Sequence, residues 1–421
     1  MSAVEMGPGH WINPVLGRQG LVLSGGGAYA AYEVGVIKAL LSGASRVTGF
    51  APIKVEVVTG TSAGSLNAAL LAALSGYDNR TNVEHLEWLW LSQLARARTA
   101  CAVGAVRYRG DPRDYLNPRC ILGTPAQLAA NFVEDATFFT QEFFRRVSGF
   151  LDLRVPLGRR TLELVDLSAL FSTVPFERIL RRAFNLPAIR AASRALRIAA
   201  TNWSTGELKL FSNADLTDDV GHSAIQASCA FPGLPPVSIN GQLFVDGGYV
   251  MNTPLKPAVD AGADTLHIVY LDPDPKNLPV RRLYNTVDVL DTLYTTMMAS
   301  IFNRDIDWAA NVNAALDFLN QPGQATPARL QGYILTAAKI RERQAQSSPY
   351  RQITIHRYRP QGDLGGVLGL LNFDRAHIAD LIEIGYRDTL AHDCIANECS
   401  LTAENEAAPP SSPQAQAAGS P

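Results

Sequence analysis

The sequence predicts an α/β fold: a mainly parallel central sheet with helices on both faces, a helical insertion and a helical C-terminal extension. Short apolar runs alternate with helical patterns along most of the chain, an order that places strands parallel to one another. Two junctions between an apolar run and a helical pattern are rich in glycine, as tight strand-to-helix turns require. A hydrophobic content of 47% with 18% charged residues supplies the apolar surface for a large core.

The individual elements follow from periodicity and from turn residues. Apolar runs predict strands near residues 20–24, 53–59, 195–201, 207–212, 242–245 and 264–271, and a late strand at 352–358 on the edge of the sheet. Helical patterns occur near residues 30–41, 63–75, 82–95, 175–184 and 221–228.

These elements group into one main α/β unit with additions. We expect an N-terminal extension at 1–19, the main unit at 20–275 with an insertion at about 96–160, and a mostly helical part at 276–400 packed on that unit. Residues 401–421 consist mainly of Ala, Pro, Ser and Gln, with almost no large apolar residue, which predicts a disordered tail.

The insertion is rich in arginine. Between Arg96 and Arg160 there are eleven arginines, no lysine and six acids, a net charge of +5, with aromatic residues interleaved. One interpretation is a lid that meets anionic head groups, since arginine binds phosphate bidentately. The other is an insertion whose arginines pair with acids elsewhere in the fold, and we favour this structural interpretation.

Composition limits the classes of partner. The net charge of −2 predicts no general attraction to nucleic acid. Residues 1–19 lack a basic start and an apolar core, so no signal peptide is expected, and the apolar run 68–74 is far too short to span a membrane. These features predict a cytoplasmic protein with at most peripheral membrane contact, and they leave export by a route without a cleavable signal open.

The five cysteines lie at 101, 120, 229, 394 and 399, and their spacing matches neither a zinc site nor a disulfide framework. We therefore expect reduced thiols, no metal site and no cofactor.

Ser62 is the most informative residue of the chain. It lies in the pentapeptide G-x-S-x-G at 60–64, between the apolar run ending at Thr59 and a helical run from Ser65. Gly60 and Gly64 permit a sharp turn that exposes the serine hydroxyl at a helix N-terminus, where an anion is stabilised. The alternative is an ordinary tight turn of an α/β domain.

Gly25, Gly26 and Gly27 follow the first predicted strand and precede a helix. Such a loop can bind a phosphate or hold an oxyanion through its backbone amides. A dinucleotide site would need an acidic residue at the end of the next strand, where Thr59 to Ser62 stand instead, and no Gly-Lys-Ser/Thr follows for a P-loop. Because parallel neighbouring strands present their loops side by side, the oxyanion interpretation suits a nucleophile on the next strand.

Asp246 ends a further apolar run and precedes Gly247 and Gly248. On its own, Asp-Gly is most often a plain turn.

Together, in this order, the three segments resemble the patatin-like phospholipase family. Residues 227–237 and 252–255 also look like that family, and a fainter match lies near 371–373 and the helix after it. The resemblance covers roughly 20–272. At the loop positions where the family commonly has Arg or Lys followed by Gly, this chain has Tyr29 and Ala30.

The resemblance implies that 20–275 is a patatin-like catalytic domain that hydrolyses phospholipids, lysophospholipids or related lipid esters without a metal. It implies a two-residue site in which Ser62 is the nucleophile and Asp246 is the proton acceptor. The residues it assigns around this pair are the oxyanion loop, Gly25, Gly26 and Gly27 with the N–H of Ala28, and the turn glycines, Gly60, Gly64, Gly247 and Gly248.

Histidines offer no better base for Ser62. A Ser-His-acid hydrolase needs its histidine in a loop after the acid, whereas His356 and His392 lie in a strand pattern and a helix pattern. We interpret both as surface or packing residues.

Three functions stay open: a lipid acyl hydrolase, a catalytically weak member that binds lipid or protein, and an acyltransferase that uses the same acyl-serine. Retention of Ser62, Asp246 and the glycines favours an enzyme, while Tyr29 and Ala30 favour weaker activity. The sequence leaves the oligomeric state, the head group and any activating partner open.

Overall fold

The structure is a computed structural model, and it describes residues 17–96, 107–109, 116–151, 171–231, 234–271, 313, 353–362, 364–365, 369–397 and 399–400. Its strands are β1 Gln19–Leu23, β2 Val55–Thr61, β3 Arg107–Tyr108, β4 Phe171–Ser172, β5 Ala195–Asn202, β6 Leu208–Ser212, β7 Val237–Ile239, β8 Gln242–Asp246, β9 Thr265–Val269 and β10 Thr354–Tyr358. Its helices are α1 Ala30–Ser42, α2 Ala63–Ala73, α3 Asn79–Trp88, α4 Pro118–Gly123, α5 Pro125–Leu151, α6 Val174–Ala183, α7 Leu186–Arg190, α8 Gly221–Ser228, α9 Leu255–Asp260 and α10 Arg375–Leu390.

The predicted fold class is confirmed. The main sheet runs in the order β10-β9-β1-β2-β5-β8-β7, with β6 paired to β5. The pairs from β10 to β5 are parallel, and β6, β7 and β8 join in antiparallel pairs. β1 and β2 are parallel neighbours, as expected, so the glycine loop after β1 and the serine turn after β2 lie at the same end of the sheet.

Three strands, β2, β6 and β8, pair with β5, so two of them share one of its edges. β6 pairs with residues 197–201 of β5, and β8 pairs with residues 200–202 of the same strand. Because a strand has two edges, β8 must use the edge that β2 occupies over residues 195–199. The last residue of β8 therefore lies opposite Ala200, immediately beyond the point where β2 ends opposite Ala199.

Alternation along the strands builds a core on each face of the sheet. Leu21, Leu23 and Val58 pack on one face with α1, α2 and α10, whereas Val22 and Val57 pack on the other face with α9. Nearly every residue of α2 is buried, since this helix lies behind the end of β2 with apolar neighbours on all sides.

Helix α1 packs closely against α10 and is hydrogen-bonded to α2. A Cβ atom on Gly35 would lie 2.0 Å from the carbonyl oxygen of Ile382, so α1 and α10 pack backbone against backbone. The buried Asn67 amide of α2 donates to Glu33 of α1 at 2.8 Å and accepts from the Trp90 indole at 2.7 Å. Burial raises the pKa of Glu33 well above its ordinary value, which favours the neutral form of this carboxyl.

The predicted elements within the described residues are confirmed, including β10 at the sheet edge. β3, β4, β7, α7 and α9 were not predicted, because their short runs carry too little periodic pattern. The boundary near 275 stays a prediction, although β10 extends the same sheet well beyond that point. The extension 1–19 lies mostly, and the tail 401–421 entirely, outside the described residues.

The predicted insertion contains the helices α4 and α5. Arg107 donates to Asp135 at 2.7 Å through both terminal nitrogens, and Arg109 donates to Glu134 at 2.7 Å. These two arginines therefore pair with acids of the insertion itself, whereas the structural interpretation expects partners elsewhere in the fold. Across the ranges that the structure describes, no helix combines the length and the hydropathy needed to cross a membrane.

Candidate active site

Ser62 forms a strained turn between β2 and α2. Its φ of 53° and ψ of −130° are rare for a residue with a side chain, and it is 7% exposed. A Cβ on Gly60 would lie 2.5 Å from the carbonyl oxygen of Gly64, and one on Gly64 would lie 2.6 Å from that of Ser24. Both flanking positions therefore require glycine, and the strand, sharp turn and helix have the geometry that a nucleophile elbow needs.

Neighbouring hydroxyl groups hold this turn in place. The Ser62 N–H donates to Ser228 Oγ at 3.0 Å, and Ser228 Oγ donates to the carbonyl oxygen of Ala199 at 2.7 Å. The Ser62 carbonyl oxygen accepts from Ser65 Oγ at 2.6 Å and from Cys229 Sγ at 3.1 Å. Sequence reasoning missed the role of Ser228, although it noted the stretch 227–237 as similar to the family.

Asp246 ends β8 and is buried, with 4% of its surface exposed. Its carboxylate accepts a hydrogen bond from the Gly248 N–H at 2.7 Å and lies close enough to the Ser62 side chain for that group to affect its pKa. Burial raises the pKa of Asp246 to about 7, and the nearby Ser62 side chain and the Gly248 N–H oppose that rise. A carboxyl with this pKa can accept a proton near neutral pH, which an exposed aspartate does poorly.

The glycines after Asp246 fit the turn around it. A Cβ on Gly247 would lie 2.4 Å from the carbonyl oxygen of Ala199, so the chain passes directly over β5 at this point. Gly248 supplies the amide that binds the carboxylate. The predicted role of both residues in supporting the motif therefore has a geometric basis.

The glycine loop lies beside Ser62. Two of the four N–H groups expected to bind an oxyanion already have acceptors within the protein. The Gly25 N–H donates to the carbonyl oxygen of Asn252 at 3.2 Å, and the Ala28 N–H donates to the carbonyl oxygen of Leu370 at 2.8 Å. Among the described residues, the N–H groups of Gly26 and Gly27 have no such partner. These two amides are therefore the ones available to an oxyanion.

The departure at Tyr29 has a packing explanation. Tyr29 is buried, and its ring meets His377 edge to face with 6.4 Å between ring centroids. A Cβ on Gly369 would clash with the Tyr29 hydroxyl, so this glycine accommodates the tyrosine. The segment at 369–373 thus lies over the glycine loop, and Gly27, with φ of 55°, abuts the carbonyl oxygen of Leu370. At a position where the family commonly has a charged residue, this chain therefore has a tyrosine that makes a buried contact.

A second group of residues missed by sequence reasoning links the loop after Asp246 to β1 and β2. The Asn252 side-chain amide donates to the Gly25 carbonyl oxygen at 3.1 Å, and Thr61 Oγ1 donates to that of Met251 at 2.8 Å. Ser24 and Thr253 share a hydrogen bond of 2.8 Å between their hydroxyl groups. These bonds fix the glycine loop, the serine turn and the aspartate loop to one another. Residues 252–255 had been noted only as similar to the family.

Histidine takes no part in this group. Within the described part of the chain, no histidine forms a hydrogen bond with Ser62 or Asp246. Cys229, beside Ser62, is buried, and burial raises the pKa of its thiol, so it stays protonated and donates to the Ser62 carbonyl oxygen. The cysteines at 394 and 399 lie instead with His356 and His392 near β10, a juxtaposition that cysteine spacing did not reveal.

Comparison with known proteins supports the resemblance. A patatin-like phospholipase domain-containing protein of Pyricularia oryzae is 42% identical over 85 residues, which cover 20% of this chain and 9% of that protein. One of Chaetomium globosum is 44% identical over 85 residues, covering 20% of this chain and 8% of that protein. Both matches therefore span less than a tenth of the curated relative.

Among solved structures, that of VipD from Legionella pneumophila aligns over 89% of this chain and 66% of that chain, with a TM-score of 0.35 and 16% sequence identity. A family model for patatin-like phospholipases matches residues 21–259, which is more than half of the sequence, and the chain therefore belongs to the patatin-like phospholipase family.

Proposed function

We propose that this protein is a serine lipid acyl hydrolase that cleaves carboxylic ester bonds through an acyl-serine formed on Ser62, with Asp246 as the proton acceptor. The observation that carries the proposal is the position of the strained Ser62 beside the buried carboxyl of Asp246, whose pKa burial raises to about 7 and the Ser62 side chain lowers. A hydroxyl is a poor nucleophile until a base accepts its proton. The location of the Asp246 carboxyl and its raised pKa support that role.

In the first half of the reaction, Ser62 Oγ attacks the ester carbonyl carbon and its proton passes to Asp246. The carbonyl oxygen becomes an oxyanion, which the N–H groups of Gly26 and Gly27 bind near the N-terminus of α2. When the C–O bond to the alcohol breaks, Asp246 returns the proton to the departing oxygen, and the acyl group remains on Ser62.

The second half repeats these steps with water. Asp246 accepts a proton from a water molecule as its oxygen attacks the acyl carbon, and the same two amides bind the new oxyanion. Collapse of this intermediate releases the fatty acid and returns the proton to Ser62. The raised pKa of Asp246 suits both directions of transfer, because the group must gain and lose a proton in each half-reaction.

The insertion supports a lipid substrate at a membrane surface. Phe139, Phe143 and Val147 recur every four residues on α5 and are exposed, and Phe144 beside them is 67% exposed. An apolar stripe of this kind on a surface helix suits contact with the interfacial region of a bilayer. Arg107 and Arg109 are already paired within the insertion, so the apolar contact, and not arginine-phosphate pairing by these two, is the basis of the expected membrane binding.

The test combines a fluorophosphonate probe, which labels an activated serine, with a panel of phospholipid, lysophospholipid and short-chain aryl esters. Wild-type protein should be labelled and should release fatty acid, whereas Ser62→Ala should lose both properties and keep its circular dichroism spectrum. Ser42→Ala is the matched control, since that hydroxyl only bonds within α1 and should leave both readouts unchanged.

Three results would contradict the proposal. Labelling that persists in Ser62→Ala would place the nucleophile elsewhere. Turnover that appears only when an acceptor alcohol is added would make the protein an acyltransferase. A folded wild-type protein with no labelling and no turnover on any of the esters would make it a non-catalytic lipid- or protein-binding member.

A further inference from the structure

Four side chains with metal-binding atoms converge at the outer edge of the sheet, far from the proposed catalytic pair. They belong to His356, His392, Cys394 and Cys399, and their ligating atoms all lie within 4.8 Å of one another. Cys394 Sγ is 3.5 Å from His356 Nδ1 and 3.7 Å from His392 Nε2, and Cys399 Sγ is 3.3 Å from His392 Nε2.

These separations suit four ligands around one ion. In a tetrahedral zinc site, with Zn–S of about 2.3 Å and Zn–N of about 2.0–2.1 Å, a sulfur and a nitrogen ligand lie about 3.6 Å apart. The three measured S···N distances, 3.3, 3.5 and 3.7 Å, scatter around that value. Hydrogen bonds between pairs of these residues would not by themselves require the ligating atoms of all four to lie so close together.

Each of the four side chains belongs to a strand, to the end of a helix or to a segment fixed by backbone hydrogen bonds. His356 lies on β10 and is 1% exposed, and His392 follows α10 and is 6% exposed. Cys394 begins a turn in which the Asp393 carboxylate accepts from the N–H groups of Ile395 and Ala396 at 2.8 and 3.0 Å. The turn therefore fixes the direction of the Cys394 side chain.

Cys399 is fixed by the sheet itself. Ser400 exchanges two backbone hydrogen bonds with Ile355 of β10, of 2.7 and 3.0 Å. The Arg357 N–H of the same strand donates to Cys399 Sγ at 3.4 Å. A backbone N–H aimed at a cysteine sulfur is a neighbour that stabilises a thiolate ligand.

Aromatic rings surround the two histidines. His267 of β9 stacks on His356 with 5.2 Å between ring centroids, and the Tyr358 ring lies 4.6 Å from that of His392. His267 Nδ1 is in turn 3.0 Å from the Tyr358 hydroxyl oxygen. The imidazole rings therefore have fixed orientations, which a preformed metal site needs.

From this geometry we infer that His356, His392, Cys394 and Cys399 bind one Zn²⁺ in a closed structural site that fastens the segments 392–397 and 399–400 to the edge strand β10. Two sulfur and two nitrogen ligands in a tetrahedral arrangement favour zinc among the divalent metals. Both thiols release their protons to solvent when the ion binds. Four protein ligands leave no open position, and β9 and β1 separate β10 from β2, so the ion takes no part in ester hydrolysis.

The first test measures zinc by mass spectrometry in full-length protein purified without chelator from zinc-supplemented cells. We expect about one zinc per chain in the wild type, and at least a fivefold reduction in Cys399→Ser and in His392→Ala. His85→Ala, at an exposed histidine on α3, and Ser400→Ala, in the same segment as Cys399, are matched controls that should keep the metal. The wild type should also lose thermal stability when a chelator removes the ion, while Ser62 remains labelled by fluorophosphonate in the folded protein.

The second test does not depend on folding of a variant. Titration of wild-type protein with an organomercurial reagent, which blocks thiolates, should release zinc in proportion to the two cysteines modified. Replacement of zinc by Co²⁺ should give the absorption of a tetrahedral ion with thiolate ligands. A wild type with no zinc above background and no such cobalt spectrum overturns the inference, as does a disulfide between Cys394 and Cys399 in protein isolated under reducing conditions. Neither result would affect the outcome at Ser62.

Discussion

Asp246→Asn tests the central physical claim, that a buried carboxyl is held at a raised pKa beside Ser62. In the wild type, folding raises the pKa of this group from about 3.9 in the unfolded chain to about 7. The folded state thus binds a proton more tightly than the unfolded state. The stability that this proton confers is complete below about pH 4 and is lost as pH rises toward about 7. Asparagine does not titrate, so the variant lacks this pH dependence.

The size of the effect follows from the two pKa values. A rise of roughly three units corresponds to about 4 kcal/mol over the whole range, and between about pH 5 and pH 8 the wild type should lose about 2–3 kcal/mol relative to Asp246→Asn. The comparison across pH cancels the constant effects of the substitution, such as an amide hydrogen left without a partner. Wild-type kcat/KM should rise over the same interval, because only the ionised carboxylate accepts the serine proton.

Urea unfolding of both proteins at several pH values measures this difference. Asp78→Asn is a control of opposite sign: hydrogen bonds from Thr81 lower the pKa of this exposed N-cap residue, so its contribution to stability is present above the unfolded pKa and is lost as pH falls. Stability curves of wild type and Asp246→Asn that stay parallel from about pH 5 to pH 8 would refute the raised pKa. Substantial ester hydrolysis by Asp246→Asn would refute its role as base.

Three further predictions concern the surroundings of Ser62. Gly27→Val should reduce kcat severely, because the side chain would meet the Leu370 carbonyl oxygen and displace an oxyanion donor, whose loss costs about 10²–10³ in rate; wild-type turnover by a folded variant would disprove the loop's role. Ser228→Ala should destabilise the fold by about 1–3 kcal/mol in thermal or urea unfolding, because the buried Ser62 N–H loses its acceptor; an unchanged midpoint would contradict this. His222→Ala should keep kcat/KM within about tenfold of wild type, and a variant as inactive as Ser62→Ala would restore a histidine triad.

Much of the fold and of the candidate site was predictable because the informative features are local. The elbow at Ser62 needs glycine at two fixed positions, and the structure gives the reason in contacts shorter than a Cβ permits. Long apolar strands and helices carry enough periodicity to be located, whereas β7, with three residues, does not.

The remaining features depend on contacts between distant segments, which residue patterns do not encode. Ser228 lies 166 residues after Ser62, and Asn252 lies 227 residues after Gly25, to which it donates. Leu370, still farther along the chain, covers the glycine loop. The same limit explains why Gly25 was expected to be a donor, and why the cysteines at 394 and 399 were not connected with His356. Sequence spacing reveals a ligand set only when its members are neighbours along the chain.

The pairing of β2 and β8 along one edge of β5 bears on the stage of folding at which Asp246 can join Ser62. Ser62 and the strand that carries it precede Ser228 by 166 residues, and Asp246 follows later still. Under the proposed mechanism, a nascent chain that has formed only β1, β2 and β5 therefore has its serine but no base, and should not hydrolyse lipid. Such non-local strand pairing is a slow part of folding, so recovery of esterase activity during refolding should follow, and never precede, completion of the sheet.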